Sequence, residues 1–196
     1  VSIWNNIKIT EGSSGSNGTT LAEDAPKGHE EGFATDSIVQ VGTDAADEVF
    51  EIAGSYDNHG RLDAADIETT DVAGDLYNEG QATYDDMDIA DGGSSVNEGY
   101  ERGDILTVSD GGTHTNTGVS IWNNIQISED GSGSNGDPLA PDAPKGHEEG
   151  FDTDSFVTVG TDNPDEEFRI DGSFDNHGGL DATETETTTV TGDLFN

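Results

Sequence analysis

Residues 1–11 read VSIWNNIKITE, and residues 119–129 repeat them as VSIWNNIQISE. The apolar residues of the first copy fall on one face of an extended strand: Val1, Ile3, Ile7 and Ile9. Alternation with a period of two is typical of a β-strand that has one buried face. A helix is not favoured, because 27 of the 196 residues are Gly and no window of a dozen residues has a clear period of 3.6. The sequence therefore predicts strands rather than helices.

Further strand-like segments alternate with turn-forming clusters such as EGSSGSNG, DAPKGHEEG, GTDAAD and DNHG. The segments are residues 35–41, 48–53, 67–76, 82–89 and 104–109, followed in the second copy by 153–159, 166–171 and 185–194. Many short strands separated by turns are typical of two packed antiparallel sheets. The prediction is an all-β protein, an antiparallel β-sandwich of the Ig-like or jelly-roll-like kind, repeated in tandem.

The duplication covers most of the chain. Residues 1–78 align with residues 119–196 without a gap, and 55 of the 78 positions are identical. Residues 79–118 form either a linker between two small domains or the last third of a larger unit. A flexible linker lacks apolar clusters such as Ile105-Leu106. We therefore predict a first repeat unit over 1–118, made of the duplicated part and the strand-bearing segment 79–118, and an incomplete second copy over 119–196.

Charge and composition exclude several functions. The chain has 43 acidic residues against 6 Lys and Arg, a net charge of −37. Such a surface repels phosphate backbones, so we expect no nucleic-acid partner. Cysteine is absent, which excludes disulfides and thiolate metal sites, and no apolar run approaches the roughly 18 residues of a membrane span. Concentrated salt or bound divalent cations would relieve the repulsion among the carboxylates.

Two resemblances extend this interpretation. The acidic composition resembles that of secreted or surface proteins from extreme halophiles, and together with the repetition it broadly resembles archaeal surface fibres and bacterial repeat adhesins. The stretch VAGDLYNEGQATYDDMDIAD (72–91) resembles the strand-turn-strand of Ig-like surface modules. These resemblances imply an extracellular or cell-surface location.

One segment resembles a calcium loop. Residues 55–66, SYDNHGRLDAAD, resemble the loop of EF-hand and dockerin-type modules, with a Gly at the turn position. The resemblance implies Ca²⁺ as a cofactor and the following ligands in the two copies: Asp57, Asp63 and Asp66, and Asp175, Asp181 and Glu184. Ser at the first position and His at the fifth depart from the pattern. An oxygen-rich turn that binds Ca²⁺ and a plain Asx turn remain open, and Asp85, Asp86, Asp88 and Asp91 form a further acidic cluster.

Three smaller features concern glycosylation, interfaces and catalysis. Asn17-Gly-Thr19 is a sequon that permits N-glycosylation in a secreted protein. Trp4 and Trp122 are either core residues or anchors of a subunit interface. A zinc hydrolase would join His29 and His59 with a Glu. The motif His29-Glu30-Glu31 recurs in the second copy as His147-Glu148-Glu149, but its spacing is not that of H-E-x-x-H.

The leading functional prediction is a non-enzymatic structural protein. Near-identical repeats suit a fibre, stalk or surface layer, which gains from length. The expected partner is a second copy of the chain, in a head-to-tail homopolymer assembled by strand sharing and stabilised by salt or calcium. An adhesin for glycans or cells is the first alternative, with Tyr56, Tyr84 and Tyr100 as candidate contact residues. A secreted metal-dependent hydrolase is the second alternative.

Overall fold

The structure, a computed structural model, describes residues 1–43, 45, 47–136, 155–161 and 165–195. These residues form twenty β-strands: β1 (Ser2–Trp4), β2 (Ile7–Ile9), β3 (Ser14–Asn17), β4 (Ile38–Val41), β5 (Phe50–Ile52), β6 (Ser55–Asn58), β7 (Arg61–Val72), β8 (Asp75–Asn78), β9 (Gln81–Ile89), β10 (Ser94–Asn97), β11 (Tyr100–Val108), β12 (Thr113–Asn116), β13 (Val119–Ile127), β14 (Ser132–Asn135), β15 (Phe156–Val159), β16 (Glu167–Ile170), β17 (Ser173–Asn176), β18 (Gly179–Asp181), β19 (Thr187–Val190) and β20 (Asp193–Phe195). The described residues contain no helix of the length and apolarity needed to cross a membrane.

All pairings between these strands are parallel, and the chain forms a β-solenoid. Each coil of the solenoid contains one short strand, a corner and one long strand, and each strand pairs with its equivalent in the next coil. The predicted antiparallel β-sandwich and its Ig-like repeats are therefore wrong. Alternation identifies the buried face of a strand, but it carries no information about the direction of the neighbouring strand. The stretch at 72–91 that resembles an Ig-like module runs from the end of β7 through β8 and a corner into β9, and all its pairings are parallel.

The strands form two sheets along the solenoid. The short strands make an eight-stranded sheet in the order β20-β17-β14-β12-β10-β8-β6-β3. The long strands make a twelve-stranded sheet along the path β1-β4-β7-β9-β11-β13-β15-β18. In some coils a loop divides the long strand into two pieces. The pieces β4 and β5 both pair with β7, and the pieces β15 and β16 both pair with β13.

A buried ladder of asparagines connects the coils at one corner. Six side-chain hydrogen bonds of 2.7–3.0 Å join seven residues: Asn17, Asn58, Asn78, Asn97, Asn116, Asn135 and Asn176. Each of the first six amide groups also donates to a backbone carbonyl at the start of the next long strand. Both amide hydrogens are thus satisfied, as burial requires. The ladder fixes the register of successive coils.

The ladder explains the length of the internal repeat. Neighbouring asparagines are 41, 20, 19, 19, 19 and 41 residues apart. Asn17 and Asn135 occupy equivalent positions in the two copies, so one repeat of 118 residues corresponds to five coils. The first 41-residue interval contains an insertion loop, residues 18–37, between β3 and β4. At the boundary near residue 119 the sheet is continuous, because β13 pairs in register with β11.

The interior is filled by inward side chains of both sheets, and Trp122 is the largest of them. Its ring stacks on that of Tyr84 with centroids 6.0 Å apart and an interplanar angle of 9°. Gly103 belongs to the coil between them, and a Cβ atom there would lie 2.2 Å from the Trp122 ring. Glycine at 103 therefore makes room for the two rings to stack across one coil.

A polar group of side chains lies beside this stack inside the solenoid. Glu101 is fully buried and accepts a hydrogen bond of 2.7 Å from the Ser120 hydroxyl, which itself accepts one of 2.9 Å from the Trp122 indole. His114 Nε2 lies 3.1 Å from Glu101 Oε1 without the alignment of a hydrogen bond. These contacts satisfy one carboxylate oxygen and the indole nitrogen in the core.

Candidate functional site

The long strands bend at their centres, where two consecutive side chains lie outside the core. In β9 these are Asp85 and Asp86, which fall between the buried Tyr84 and Met87. The equivalent positions are Asp104 and Ile105 in β11 and Asn123 and Asn124 in β13. The extra outward residue reverses the alternation, so both halves of the strand direct their apolar side chains inward. The bend also brings polar side chains of successive coils together.

An acidic cluster occupies this bend. Oxygen atoms of Asp85, Asp86 and Asp104 all lie within 4.8 Å of one another. Asp86 Oδ1 accepts a hydrogen bond of 3.2 Å from the Ile105 amide, and Asp104 Oδ1 accepts one of 2.8 Å from the Asn123 side chain. Hard cations such as Ca²⁺ and Mg²⁺ prefer carboxylate oxygens. In the described part of the chain, this group of residues could hold a metal ion.

Burial and mutual repulsion disfavour full ionisation of the cluster. Burial, together with the charges of Asp85 and Asp104, raises the pKa of Asp86 to about 6. Burial, Asp104 and Glu68 raise the pKa of Asp85. Carboxylates in this state are stabilised by any cation or proton that enters between them. The three carboxylates are therefore more stable with a cation bound between them than when all three are ionised without one.

An acidic groove of about 310 Å³ adjoins the cluster and is lined by Asp47, Glu48, Asp66, Glu68 and Asp85, among others. Glu48 is already engaged in the loop that precedes β5. Its carboxylate accepts hydrogen bonds from the Thr43 amide and hydroxyl and from the Ala45 amide, which lower its pKa to about 2. Glu48 thus holds a loop, whereas the carboxylates at the bend are available to a ligand.

The carboxylates predicted from the calcium-loop resemblance lie on different faces. Asp57 is in β6 of the short-stranded sheet, whereas Asp63 and Asp66 are in β7 of the other sheet, beyond the corner. Asp66 lines the acidic groove, and Asp63 lies 3.7 Å from Arg61. The segment is a corner flanked by strands, and its residues are not part of the cluster at the bend. The ligand role of these residues stays a prediction.

The second-copy residues of that prediction are similarly dispersed. Asp175 is in β17, and Asp181 is at the end of β18. Asp181 accepts hydrogen bonds from the Thr183 hydroxyl and amide, which lower the pKa of Asp181. Glu184 is exposed in the following loop. Asp181 therefore stabilises a local turn.

Asn17 and the two tryptophans occupy contrasting environments. Asn17 is buried as the first member of the ladder, and its amide donates to Asn58 and to the Arg61 carbonyl. A glycan at Asn17 would remove it from the ladder, so glycosylation there stays a prediction that requires an altered first coil. Trp122 is 0% exposed, whereas Trp4 in the first coil is 55% exposed. Trp122 is a core residue, and Trp4 is available at the end of the solenoid.

The histidines considered for zinc have separate contacts. His59 Nδ1 lies 2.6 Å from Glu79 Oε2, and Lys27 Nζ lies 3.0 Å from Glu79 Oε1. Burial raises the pKa of Glu79, but the hydrogen bonds with Lys27 and His59 outweigh it and lower that pKa. This group attaches the insertion loop to the solenoid. His29 is in the same loop, and His147, Glu148 and Glu149 lie outside the described residues.

Sequence reasoning identified part of the acidic cluster. Asp85 and Asp86 are acidic neighbours in the sequence, whereas Asp104 lies in a different segment with no local link to them. The missing signal is the recurrence of Asn-x-Gly every 19 or 20 residues, seen at Asn58, Asn78 and Asn97. Once that period is read as one coil, Asp104 falls beside Asp85 and Asp86 in the neighbouring strand.

Comparisons of this chain with protein-family models, with curated proteins and with solved structures found no match. The functional interpretation therefore depends on the geometry and chemistry of the solenoid itself.

Proposed function

We propose that the chain is a structural segment of an extracellular filament or surface fibre, lengthened by the stacking of solenoid coils. The observation that carries this proposal is the continuity of the two copies, because β13 pairs in register with β11 over almost its whole length. A further copy added in tandem would extend both sheets without changing the cross-section. With parallel strands about 4.8 Å apart, five coils would add roughly 24 Å.

The first and last coils of the described residues carry an apolar surface that head-to-tail stacking of a second copy would cover. Most of the large apolar side chains that are exposed in the described residues lie in the first and last coils: Val1, Ile3, Trp4, Val190, Leu194 and Phe195. The terminal strands also present unpaired backbone groups, to which another strand can add. Stacking of one end coil on another covers both features and requires no exchange of strands. The strongly acidic surface fits an extracellular, saline setting.

Light scattering in 1 M NaCl tests this assembly. The wild-type chain is expected to form larger particles as its concentration rises, and electron micrographs should show fibres of constant width. Trp4→Glu places a charge on the end coil and should abolish the growth. Phe156→Glu is the matched control, because Phe156 is an exposed apolar residue in an inner coil. A monomer at all concentrations, or equal growth of the Trp4→Glu variant, would refute the proposal.

We further propose that Ca²⁺ binds the acidic cluster at the bend and stabilises the solenoid. Three carboxylates within 4.8 Å provide the hard oxygen ligands that Ca²⁺ prefers. The remaining ligands would be water molecules or side chains of the adjoining groove, such as Asp66 and Glu68. Burial and the charges of Asp85 and Asp104 raise the pKa of Asp86, and a cation there offsets the repulsion between these charges. The cation thus stabilises the folded state by binding to it selectively.

Thermal unfolding with added CaCl₂ or with a chelator measures this effect. Calcium at about 100 times its Kd should stabilise the wild-type chain by about 2.7 kcal/mol. Asp86→Asn should remove this response. Asp57→Asn should retain it, because Asp57 lies on the other sheet. A response lost in Asp57→Asn and kept in Asp86→Asn would instead favour the loop at 55–66.

A further inference from the structure

A polar cleft lies between the insertion loop and the outer face of the long-stranded sheet. Its volume is about 430 Å³, within the roughly 300–1,000 Å³ that small-molecule sites occupy. The side chains that line it are His29, Arg61, Gln81, Thr83, Tyr100 and Arg102. No lining residue of the cleft belongs to the acidic cluster or to the end coils, and Asp85 and Asp104 of the cluster lie two residues beyond Thr83 and Arg102 on the same strands.

The cleft contains two of the three arginines of a chain whose net charge is −37. The other basic side chains in the described residues form ion pairs of 2.6–3.0 Å: Lys8 with Glu51, Lys27 with Glu79 and Glu98, and Arg169 with Asp171. Arg61 forms a longer ion pair, with 3.7 Å between its guanidinium and the Asp63 carboxylate. Arg102 has no acidic partner within 4.0 Å among the described residues. The guanidinium of Arg102 is thus available to an external anion.

Strand register builds the floor of the cleft. Arg61, Gln81 and Tyr100 are paired positions at the start of three successive long strands. Asp63, Thr83 and Arg102 form a second row two residues further along. Neighbouring parallel strands are about 4.8 Å apart, so these outward side chains form a continuous polar surface. The floor is rigid because it consists of sheet.

The insertion loop forms the wall of the cleft and is held in place by several contacts. Gly28 donates its amide to the Glu79 carbonyl at 3.2 Å and accepts a hydrogen bond of 3.2 Å from the Gln81 side chain. A Cβ atom on Gly28 would lie 1.9 Å from the Gly80 carbonyl oxygen, so only glycine allows this approach. Lys27 fixes the loop further through Glu79 and Glu98. The cleft is therefore formed before any ligand arrives.

We propose that this cleft binds an acidic saccharide, a sugar ring that carries one carboxylate. The planar guanidinium of Arg102 can donate two parallel hydrogen bonds to a carboxylate. Gln81 and Thr83 supply neutral hydrogen-bonding groups for sugar hydroxyls, and the half-buried Tyr100 supplies a ring and a hydroxyl. His29 adds a buried Nδ1 atom that has no hydrogen-bond partner among the described residues.

The mixture of groups favours a saccharide over a polyanion. The two arginines, together with the neutral polar groups beside them, suit a ligand that carries one negative charge among several hydroxyl groups. A polyanion would in addition meet the repulsion of the whole surface, which at low salt extends over tens of ångströms. At 1 M salt the screening length falls to about 3 Å, so the long-range repulsion is screened for any ligand and the short-range contacts in the cleft decide the binding. The counterpart of Arg61 in the second copy is Gly179, so this site differs between the copies.

Titration calorimetry of the full chain with sodium D-glucuronate in 1 M KCl tests the proposal, with methyl glucoside as the neutral comparison. Saturable binding of glucuronate, at least tenfold tighter than that of the glucoside, is the expected result. A disaccharide that carries one terminal glucuronate residue distinguishes a free sugar from a residue within a polysaccharide as the preferred source. The cleft lies on the side of the solenoid, away from the end coils. Binding is measured at a protein concentration below that at which light scattering detects assembly.

Variants taken from neighbouring coils keep the fold intact. Arg102→Thr introduces the residue that Thr83 provides at the paired position, and Tyr100→Val introduces the residue that Val119 provides. Arg102→Thr should weaken glucuronate binding about tenfold or more, since hydrogen bonds to charged groups are strong. Arg169→Gln removes an arginine outside the cleft and should leave the affinity unchanged. Urea unfolding midpoints verify that each variant is folded.

Three results would overturn the proposal. The first is no saturable binding of glucuronate, and the second is unchanged binding by Arg102→Thr. The third is displacement of glucuronate by sodium acetate at equal concentration, which would show that the cleft binds simple anions and does not recognise the sugar ring. None of these results bears on coil stacking, which light scattering tests separately.

Discussion

Replacing Asn97 by Ala is expected to destabilise the solenoid by about 3–5 kcal/mol, because it leaves buried polar groups without partners on both sides. Asn97 is fully buried, accepts a hydrogen bond of 2.7 Å from Asn78 and donates to Asn116 and to the Val119 carbonyl. The ladder runs through a water-excluded interior, where hydrogen bonds in a chain reinforce one another. Urea unfolding followed by circular dichroism measures the loss.

Two further variants test the interpretation. Asn97→Asp keeps the shape but cannot donate when ionised, so at neutral pH it should be at least as destabilising as Asn97→Ala. Asn123→Ala is the control, because the Asn123 side chain makes only exposed hydrogen bonds with the described residues, donated to Asp104 and accepted from Thr161, and their loss should cost less than about 1 kcal/mol. Similar unfolding midpoints for Asn97→Ala and Asn123→Ala would show that the ladder does not stabilise the fold.

Trp122→Ala is expected to destabilise the chain by about 3–5 kcal/mol, the usual cost of removing a large buried aromatic side chain. The substitution removes the stacking contact with Tyr84 and leaves the hydroxyl of Ser120 without its indole donor. Trp4→Ala removes the same residue from the same local sequence, but Trp4 is 55% exposed and its loss should cost about 0.5 kcal/mol or less. Chemical unfolding of both variants at low protein concentration measures the difference.

Tryptophan fluorescence provides an independent control for this pair. Emission from the Trp4→Ala variant comes from the buried Trp122 and should lie at shorter wavelength than emission from Trp122→Ala. Equal destabilisation by the two substitutions would contradict the placement of Trp122 in the core and of Trp4 at the end coil.

The strand content could be predicted from the sequence, but the direction of pairing could not. Residues 82–89 were predicted as a strand and lie within β9, and residues 48–53 include β5. Residues 67–76 were predicted as one strand, yet the chain turns at Ala73-Gly74 between β7 and β8. Parallel and antiparallel strands share the same alternation, so the decision between them depends on which segments meet. That choice is made by the corners, where Asn and Gly recur.

The alternation itself was misleading within residues 1–9 and 119–127. A uniform period of two places Ile121 on the same face as Ile125 and Ile127, with Trp122 opposite. In the structure Trp122, Ile125 and Ile127 are all buried, because the bend at Asn123-Asn124 shifts the alternation by one residue. The bend is a property of stacked coils, and a single strand gives no indication of it.

The candidate sites depend on neighbours that are distant in the sequence. Asp104 meets Asp85 because parallel coils place equivalent positions side by side. Arg102 lies near Arg61 because the two occupy neighbouring rows on the same face of the sheet. The local calcium-loop resemblance at 55–66 did not account for the corner that separates Asp57 from Asp63. Residues that form sites on a solenoid are separated by about one coil length, and a motif within one segment cannot reveal them.

The amino-acid sequence alone shows the absence of disulfides, the net charge of −37, the strand-forming segments and the duplication at an offset of 118 residues. These properties follow from composition and local alternation, which act within a few residues. Three properties emerge only in the folded chain: the parallel pairing of the strands, the correspondence of the duplication to five coils, and the difference in burial between Trp4 and Trp122. Each of these properties depends on which residues of the next coil pack against a strand. Those residues are about 20 positions or more away along the chain.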